Sequence, residues 1–546
     1  MCAAEPHTLK MRFFDNFWID NKILLDPFLH HRRKNLATKK YILAHDTGTG
    51  GDKAVLCDLA GKVIHSAYQS YGISYPRPEW VEQDPDELWQ AVAATSRQVI
   101  QESGIDPKAI IGVGVSAQMW NTLPVDEKGQ PLTPMLSWLD LRSVKQADRL
   151  FVGDMPKFLF DNTGNIPTAK DSIPKILWLK EERPEIWKKT AFLLDCKEYI
   201  LFKLTGRIAI DLVGASVYFL FNPYTKQWSE EVCQKLEIPV EKLPPFFPCT
   251  DVIGEVTPEA AKQTGLNPGT PVVICAGDVA VAQTGAGANR EGKVHLCIGT
   301  ATWVGVSTST FRNDPVKPFW GLNHIDPNKY IIAGEMETGG GALMWLRDAI
   351  CQEEKRLAAE SGQSSYELLS AMAEAVPAGS DKLIFLPWLS GERAPVLDHY
   401  ARGAFIGLNL SHNKSHMVRA VMEGVAFHLR WICESMEKVG FQIDGFNGIG
   451  GGCNSAVWMQ IISDITGKPL SKVKNHLEAG AAGAALTVAV GLGIYSSVEE
   501  IDDLIKIDRV IYPDGNRQKR YEALYREYRE LYTALVPIHR RLYQVQ

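Results

Sequence analysis

"HDTGTGGDK", His45–Lys53, sets five glycine and threonine residues between two aspartates and closes on a lysine. Its flanks, "KYILA" and "AVLCDLAG", read as β-strands. A hairpin needs only two residues of turn, so this longer, bare turn is expected to hold something. Glycines expose backbone N–H groups and let phosphate oxygens approach without a Cβ in the way. Gly48 supplies that bare backbone, Thr47 and Thr49 add hydroxyls, and Lys53 adds a positive charge. Asp46 repels phosphate and suits Mg²⁺, which keeps part of its water shell. Taken alone, the same nine residues also fit a loose hairpin with solvated ends.

A second stretch repeats the design. "VHLCIGTATWVGVS" (Val294–Ser307) is again strand, Gly-Thr turn, strand. Two such hairpins predict two related halves that grip a polyphosphate from opposite sides, with the boundary near Gly287. No G-x-x-x-x-G-K-[ST] and no G-x-G-x-x-G spacing occurs, which excludes a P-loop and a dinucleotide fold. A third glycine cluster, "GIGGGCNS", ends a strand at Gly450–Gly452 and opens a helix at Asn454–Ser455; it suits a flat base or close helix–sheet packing. A fourth, "EAGAAGAA" (Glu478–Ala485), reads as a small-residue helix start made for packing.

"CAGDVAVAQTGAG" places Asp278 just past an apolar strand, where ligands gather in open α/β sheets. A carboxylate there can take the proton of an attacking hydroxyl. It can equally cap the helix that follows.

Strand-like and helix-like segments alternate from Tyr41 onward, which argues for α/β layers. "DPDELWQAVAATSRQVIQESG" is a helix capped by Asp84, with Glu87 three residues on, and stopped by Gly104. "IIGVGVS", "PVVICAGD" and "KLIFLPW" are apolar strands fit for a sheet covered on both faces. Ser415–Val439 carries Val418, Val421, Met422, Val425, Leu429, Ile432 and Met436 on one helical stripe, and "RYEALYREYRELYTALV" is a further amphipathic helix with packing tyrosines.

The 546 residues carry a net charge of −6, with 45% hydrophobic and 22% charged residues. That balance gives no reason to expect nucleic acid or a membrane as partner. Ten cysteines with no C-x-x-C pair predict neither a zinc site nor a disulfide framework, but reduced thiols in a cytoplasmic protein. No run of 18 apolar residues occurs. The first 35 residues mix aromatics with charges and are assigned no function.

The order of these motifs resembles the FGGY family of carbohydrate kinases, and within it the xylulokinases. "DTGTGGDK" resembles the family's first phosphate motif, and "PEWVEQDPDELW" a segment typical of xylulokinases. "KILWLKEE" resembles the core of the first signature, with Lys170 departing at its front. "GAFIGLNLSHNKSHMVRAVMEG" fits the second signature, and "FLPWLSGERAP" and "GIGGGCNS" match closely. The resemblance runs from about Lys39 to Tyr543. It implies an α/β chain of two actin-like (ribonuclease H-like) domains, 38–287 and 288–546, behind an extension at 1–37, with ATP in the cleft between them. On that basis Asp46 serves the metal and Asp278 accepts the proton. Thr47, Gly48, Thr49, Lys53, Gly299, Thr300, Gly340, Gly451, Gly452 and Asn454 would hold ATP. Closure would exclude water.

In the sugar pocket the sequence departs from the family. Met119 of "SAQMWN" is kept, but Trp120 stands in place of a histidine, and Val279 in place of an asparagine after the catalytic aspartate. With Gln118, Asp140 and Arg142 these residues make the expected sugar wall. A site built to bond a hydroxyl discriminates by up to about 10⁴-fold, so such changes bear on the substrate. The expected reaction is phosphorylation of D-xylulose to D-xylulose 5-phosphate. The alternatives are a kinase for ribulose, gluconate, glycerol or erythritol, or a non-catalytic actin-like nucleotide-binding protein. ATP, Mg²⁺ and a small sugar are the expected ligands, and a homodimer is allowed. Glycoside hydrolysis by a carboxylate pair would leave the phosphate turns unexplained.

Overall fold

The computed structural model describes residues 39–314 and 319–545, and Tyr41–Gln546 form one compact unit. The aromatic-rich stretch before residue 36 lies outside the described residues.

The opening hairpin forms as its sequence requires. Strands β1 (Tyr41–Thr47) and β2 (Gly51–Asp58) pair antiparallel, with Tyr41 opposite Asp58, Asp46 opposite Lys53 and Thr47 opposite Asp52. β2 continues into β3 (Val63–Ser70), and β1 pairs parallel with β4 (Ile110–Ala117). β5 (Val252–Glu255) and β6 (Pro271–Val273) complete a six-stranded sheet of order β5-β6-β4-β1-β2-β3. Its central strands β1, β2 and β4 are buried on both sides because both faces are covered there. Ile42, Ala44 and Val55 fall in one core, and Leu43, Ala54 and Leu56 in the other.

The second half repeats this plan. β7 (Val294–Ile298) and β8 (Thr302–Thr308) form the second hairpin, followed by β9 (Trp320–Asn323) and β10 (Tyr330–Met336). β11 (Phe446–Ile449), β12 (Leu470–Val473) and β13 (Ile507–Ile511) give the order β9-β10-β8-β7-β11-β12-β13. Three antiparallel strands followed by two parallel neighbours, β3-β2-β1-β4-β6, recur as β10-β8-β7-β11-β12. The echo between the two hairpins is therefore a duplication of sheet topology.

Helix α1 (Pro85–Ser103) starts at Asp84, whose side chain accepts from the Asp86 N–H, and stops at left-handed Gly104. Glu87 makes no capping box; its carboxylate accepts from the Gly72 N–H. Helix α2 (Ser172–Glu182) backs the first half, and α3 (Asp278–Gly285) follows β6. In the second half α4 (Gly340–Ala349), α5 (Ser365–Glu374), α6 (Lys414–Lys438) and α7 (Ala456–Thr466) surround the sheet. The apolar stripe of α6 is buried throughout. α8 (Ala479–Gly491) leaves the second half and packs on β1, β2 and β4 of the first sheet, while α3 lies against it and reaches β7. α9 (Gly515–Gln544) buries Tyr521, Tyr525 and Tyr528. "KLIFLPW" supplies only Ile384–Leu386, which pairs with Ala404–Ile406 in a two-stranded sheet and joins neither large one. The nine described cysteines are free and buried. Among the described residues no helix is long and apolar enough to cross a membrane.

Candidate active site

Two cavities meet at the turn of the second hairpin. Gly299 and Thr300 line a large one of about 940 Å³, and Ala301 lines a small one of about 110 Å³. The large cavity collects Gly299, Thr300, Gly340, Gly451, Gly452 and Asn454, all six of the second-half residues expected to hold nucleotide. Local geometry explains why. The Gly340 and Gly341 N–H groups at the start of α4 donate to the carbonyls of Gly299 (2.8 Å) and Thr300 (2.9 Å), so the turn is pinned by a helix N-terminus. The Gly451–Asn454 turn then leads into α7, which is capped by Ser455. Tyr366, Glu367 and Glu374 of α5 form another part of the wall.

The small cavity lies between the halves. From the first half come Gly48, Thr49, Gln118, Met119, Trp120, Trp138, Lys170, Asp278 and Val279; from the second come Ala301, Trp303, Trp320, Glu335 and Arg393. Asp278 is the first residue of α3, behind the N-cap Gly277, and its Oδ1 accepts only from the neighbouring Val279 N–H at 2.8 Å. It caps nothing further along the helix, which leaves the carboxylate for the cavity. Burial, and then the charge of Asp46, push its pKa up to about 7. Asp46 itself is pushed up to about 6 by burial, opposed by Lys53. Gly480 makes room for it: a Cβ there would stand 2.8 Å from Asp46 Oδ2.

With Asp278 as the proposed proton acceptor, this pKa gives a signed pH dependence. Asp278 is protonated below about pH 7 and cannot accept a proton there, so kcat/KM should fall on the acid side and level off above it. A pH–rate profile of the free enzyme checks this. Asp46→Asn removes the charge that raises Asp278 and should move the acid limb to lower pH.

Gln118, Met119, Trp120 and Val279 all line the small cavity. Trp120 is held at φ +62°, a left-handed conformation costly for a bulky residue, and its ring lies 4.3 Å from that of Trp320 across the cavity. Its indole N–H and Gln118 Oε1 are buried without a protein partner. Buried polar atoms of this kind are rare in folded proteins and fit a ligand's hydroxyls.

Three expectations are corrected. The Thr47 side chain does not face phosphate: it is fully buried, and its hydroxyl donates to Asp52 Oδ1 at 2.7 Å. Asp52 also receives Thr95 Oγ1 at 2.5 Å and pairs with His45 Nδ1 at 2.9 Å, forming a polar anchor under the hairpin. Asp140 and Arg142 do not line the cavity. Asp140 accepts from the Val81 N–H at 2.6 Å, while Arg142 pairs with Glu82 and Asp140 at 2.8 Å each and lies 3.9 Å above Trp80. Their charge and hydrogen-bonding capacity are spent on bracing one another. Lys53 Nζ donates to the Leu477 carbonyl at 3.3 Å, which ties the first hairpin to the loop before α8. It lines neither cavity.

Sequence reasoning missed Trp138, Lys170, Lys175, Trp303, Trp320, Glu335 and Arg393. Trp138 Nε1 donates to Thr49 Oγ1 at 2.8 Å and fixes the first turn. Trp303 Nε1 donates to His295 Nε2 at 2.8 Å. Buried Lys175 donates to the carbonyls of Trp120 (2.8 Å) and Lys170 (2.6 Å), holding two pieces of the wall. Arg393 lies in "FLPWLSGERAP", and Lys170 departs from the family signature, so each leaves a trace in the sequence.

Residues 41–285 match the FGGY family of carbohydrate kinases, N-terminal domain, and residues 294–492 match its C-terminal domain. The chain belongs to the FGGY family of carbohydrate kinases. This FGGY kinase is 31% identical over 501 residues to the xylulose kinase of Bacillus subtilis, covering 90% of this chain and 97% of that protein. It is 30% identical over 485 residues to the gluconokinase of the same organism, covering 89% and 94%. The crystal structure of ligand-bound xylulose kinase from Lactobacillus acidophilus superposes with a TM-score of 0.84 at 28% identity, covering 92% of this chain and all of that one. The α/β fold of two domains is thus that of the FGGY sugar kinases, enzymes that use ATP as phosphate donor.

Proposed function

We propose that this FGGY kinase phosphorylates a primary hydroxyl of a neutral ketopentose, converting D-xylulose to D-xylulose 5-phosphate. The observation that carries the reading is the charge balance of the small cavity. Its two cations are matched: Lys170 Nζ stands 2.8 Å from Glu337, and Arg393 pairs with Asp171 at 3.3 Å and Glu337 at 3.4 Å. Burial raises the pKa of Glu335, the remaining carboxyl of the wall on the second-half side, well above its ordinary value and favours the neutral acid. A neutral sugar enters without unbalancing this wall, and its hydroxyls suit the Trp120 N–H and Gln118 Oε1.

In the proposed reaction the sugar hydroxyl in the small cavity attacks the γ-phosphorus of ATP, whose nucleoside occupies the large one. The hydroxyl proton passes to Asp278, the bond from the γ-phosphorus to its bridging oxygen breaks, and ADP leaves. Gly48, Thr49, Gly299 and Thr300 cradle the phosphates from both halves. Asp46 suits Mg²⁺: it is half-buried, its charge reaches Asp278, and Gly480 leaves room beside its carboxylate, and magnesium binds through one or two carboxylates with phosphate and water. When bound it would neutralise phosphate charge.

A panel of D-xylulose, D-ribulose, D-gluconate, glycerol and erythritol in a coupled ADP-release assay tests the substrate. D-xylulose should give the highest kcat/KM, and any other sugar ahead of it rejects this reading. Gluconate is the second reading, favoured by the presence of Lys170 and Arg393 in the lining and by the gluconokinase similarity.

A further inference from the structure

We infer that Glu337 is the residue that makes this kinase refuse sugar acids, by neutralising the cations of the sugar cavity from behind. The inference rests on the sugar-kinase reading above and concerns how that site chooses between neutral and anionic substrates.

Glu337 follows β10 and does not line the cavity, but it touches both cations that do. Its Oε2 takes Lys170 Nζ at 2.8 Å and its Oε1 faces Arg393 Nε at 3.4 Å. Its own N–H donates to Glu392 Oε1 at 3.1 Å, which fixes its backbone. The side chains of Lys170, Glu337 and Arg393 are only 13%, 10% and 11% exposed, so water screens their charges weakly. Arg393 has two further carboxyl partners, Asp171 at 3.3 Å and Glu335 at 4.0 Å, and lies 4.7 Å over the Trp320 ring. Lys170 has Glu337 alone as its ion-pair partner among the described residues. The two cations of the lining therefore meet Glu337 and Asp171 from behind and the raised, neutral-leaning Glu335 within the lining, and among the described residues Glu337 is the one carboxylate that touches both of them. A substrate carboxylate entering here would add a third negative charge, already facing Asp278. With Glu337 uncharged, Lys170 becomes an unpaired ammonium lining the same cavity, which is the partner an aldonate carboxylate requires.

The test compares D-gluconate with D-xylulose as the ratio of their kcat/KM values, in full-length protein. Glu337→Gln keeps the shape and removes the charge. It should raise the gluconate-to-xylulose ratio by about tenfold or more, the size expected for gaining one charge-assisted hydrogen bond. Lys170→Met removes the cation and leaves Glu337 in excess, so it should move the ratio the other way. The double variant should lose the gain of the first. A general loss of folding or of closure would lower both substrates together and leave the ratio unmoved. A ratio within about twofold of wild type in Glu337→Gln, or a gain kept in full by the double variant, overturns the inference. If Glu337→Gln does not fold, Glu337→Met, which also removes the charge at similar volume, is read by the same ratio and the same limits. A wild-type enzyme that prefers gluconate overturns both the xylulose reading and this inference, whereas a wild type that prefers another neutral sugar overturns the xylulose reading alone and leaves the variant shifts to decide the role of Glu337.

Discussion

Asp278→Asn will abolish most phosphoryl transfer while leaving ATP binding nearly unchanged. The asparagine keeps the size of the side chain and an oxygen that can accept from the Val279 N–H, as the Asp278 carboxylate does at 2.8 Å. What it loses is the capacity to take a proton. General-base groups contribute about 10²–10⁴-fold, and a drop of that size in kcat is expected in the ADP-release assay. Asp278 lines the small cavity and none of the large one, so calorimetric ATP affinity should stay within about twofold. Retention of full transfer would mean another group accepts the proton. Loss of ATP binding in parallel would mean that Asp278 acts on the nucleotide and not on the sugar.

The second large effect is expected at a residue that lines neither cavity. Gly285 lies at the end of α3, where it crosses α8. A Cβ there would stand 1.8 Å from the Ala479 carbonyl oxygen and 2.6 Å from its carbon. Across the same crossing, a Cβ on Gly483 would meet the Val281 carbonyl oxygen at 2.0 Å. These neighbours are backbone, which cannot rotate aside, so Gly285→Ala must push the helices apart. Overpacking of this kind costs about 3 kcal/mol, and thermal unfolding should show it. The loss should extend to catalysis, because α3 carries Asp278 at its first turn and α8 brings Gly480 against Asp46. A variant with wild-type stability and kcat would show that the crossing tolerates separation and does not set the spacing of the two aspartates.

Much of this site is legible in the sequence because it is local. A Gly-Thr turn between two apolar strands forms a hairpin wherever it is placed, and both turns lie on the cavities. Alternation carried more information than the spacing of hydroxyls suggests. Asp46 and Thr47 are neighbours on one strand and must point to opposite faces. If Asp46 faces the cleft, the Thr47 hydroxyl is committed to the core, where Asp52 receives it. Asp140 and Arg142 illustrate the reverse. "SWLDLRS" offers two charges of opposite sign, and only packing against Glu82 and Trp80 shows that they are used up in each other.

By itself the sequence determined the pieces: two glycine-threonine hairpins, an aspartate past the end of a strand, and the family whose motifs occur in this order. Those features depend on backbone freedom and residue spacing, which act over a few residues. Only the tertiary structure decided the wall of the small cavity between the halves. Lys170 and Glu337 are 167 positions apart, and Asp171 and Arg393 are 222 apart. No local pattern links them, because what brings them together is the burial of one half of the chain against the other. An ion pair is a property of distance, and distance between remote residues exists only once the chain has folded.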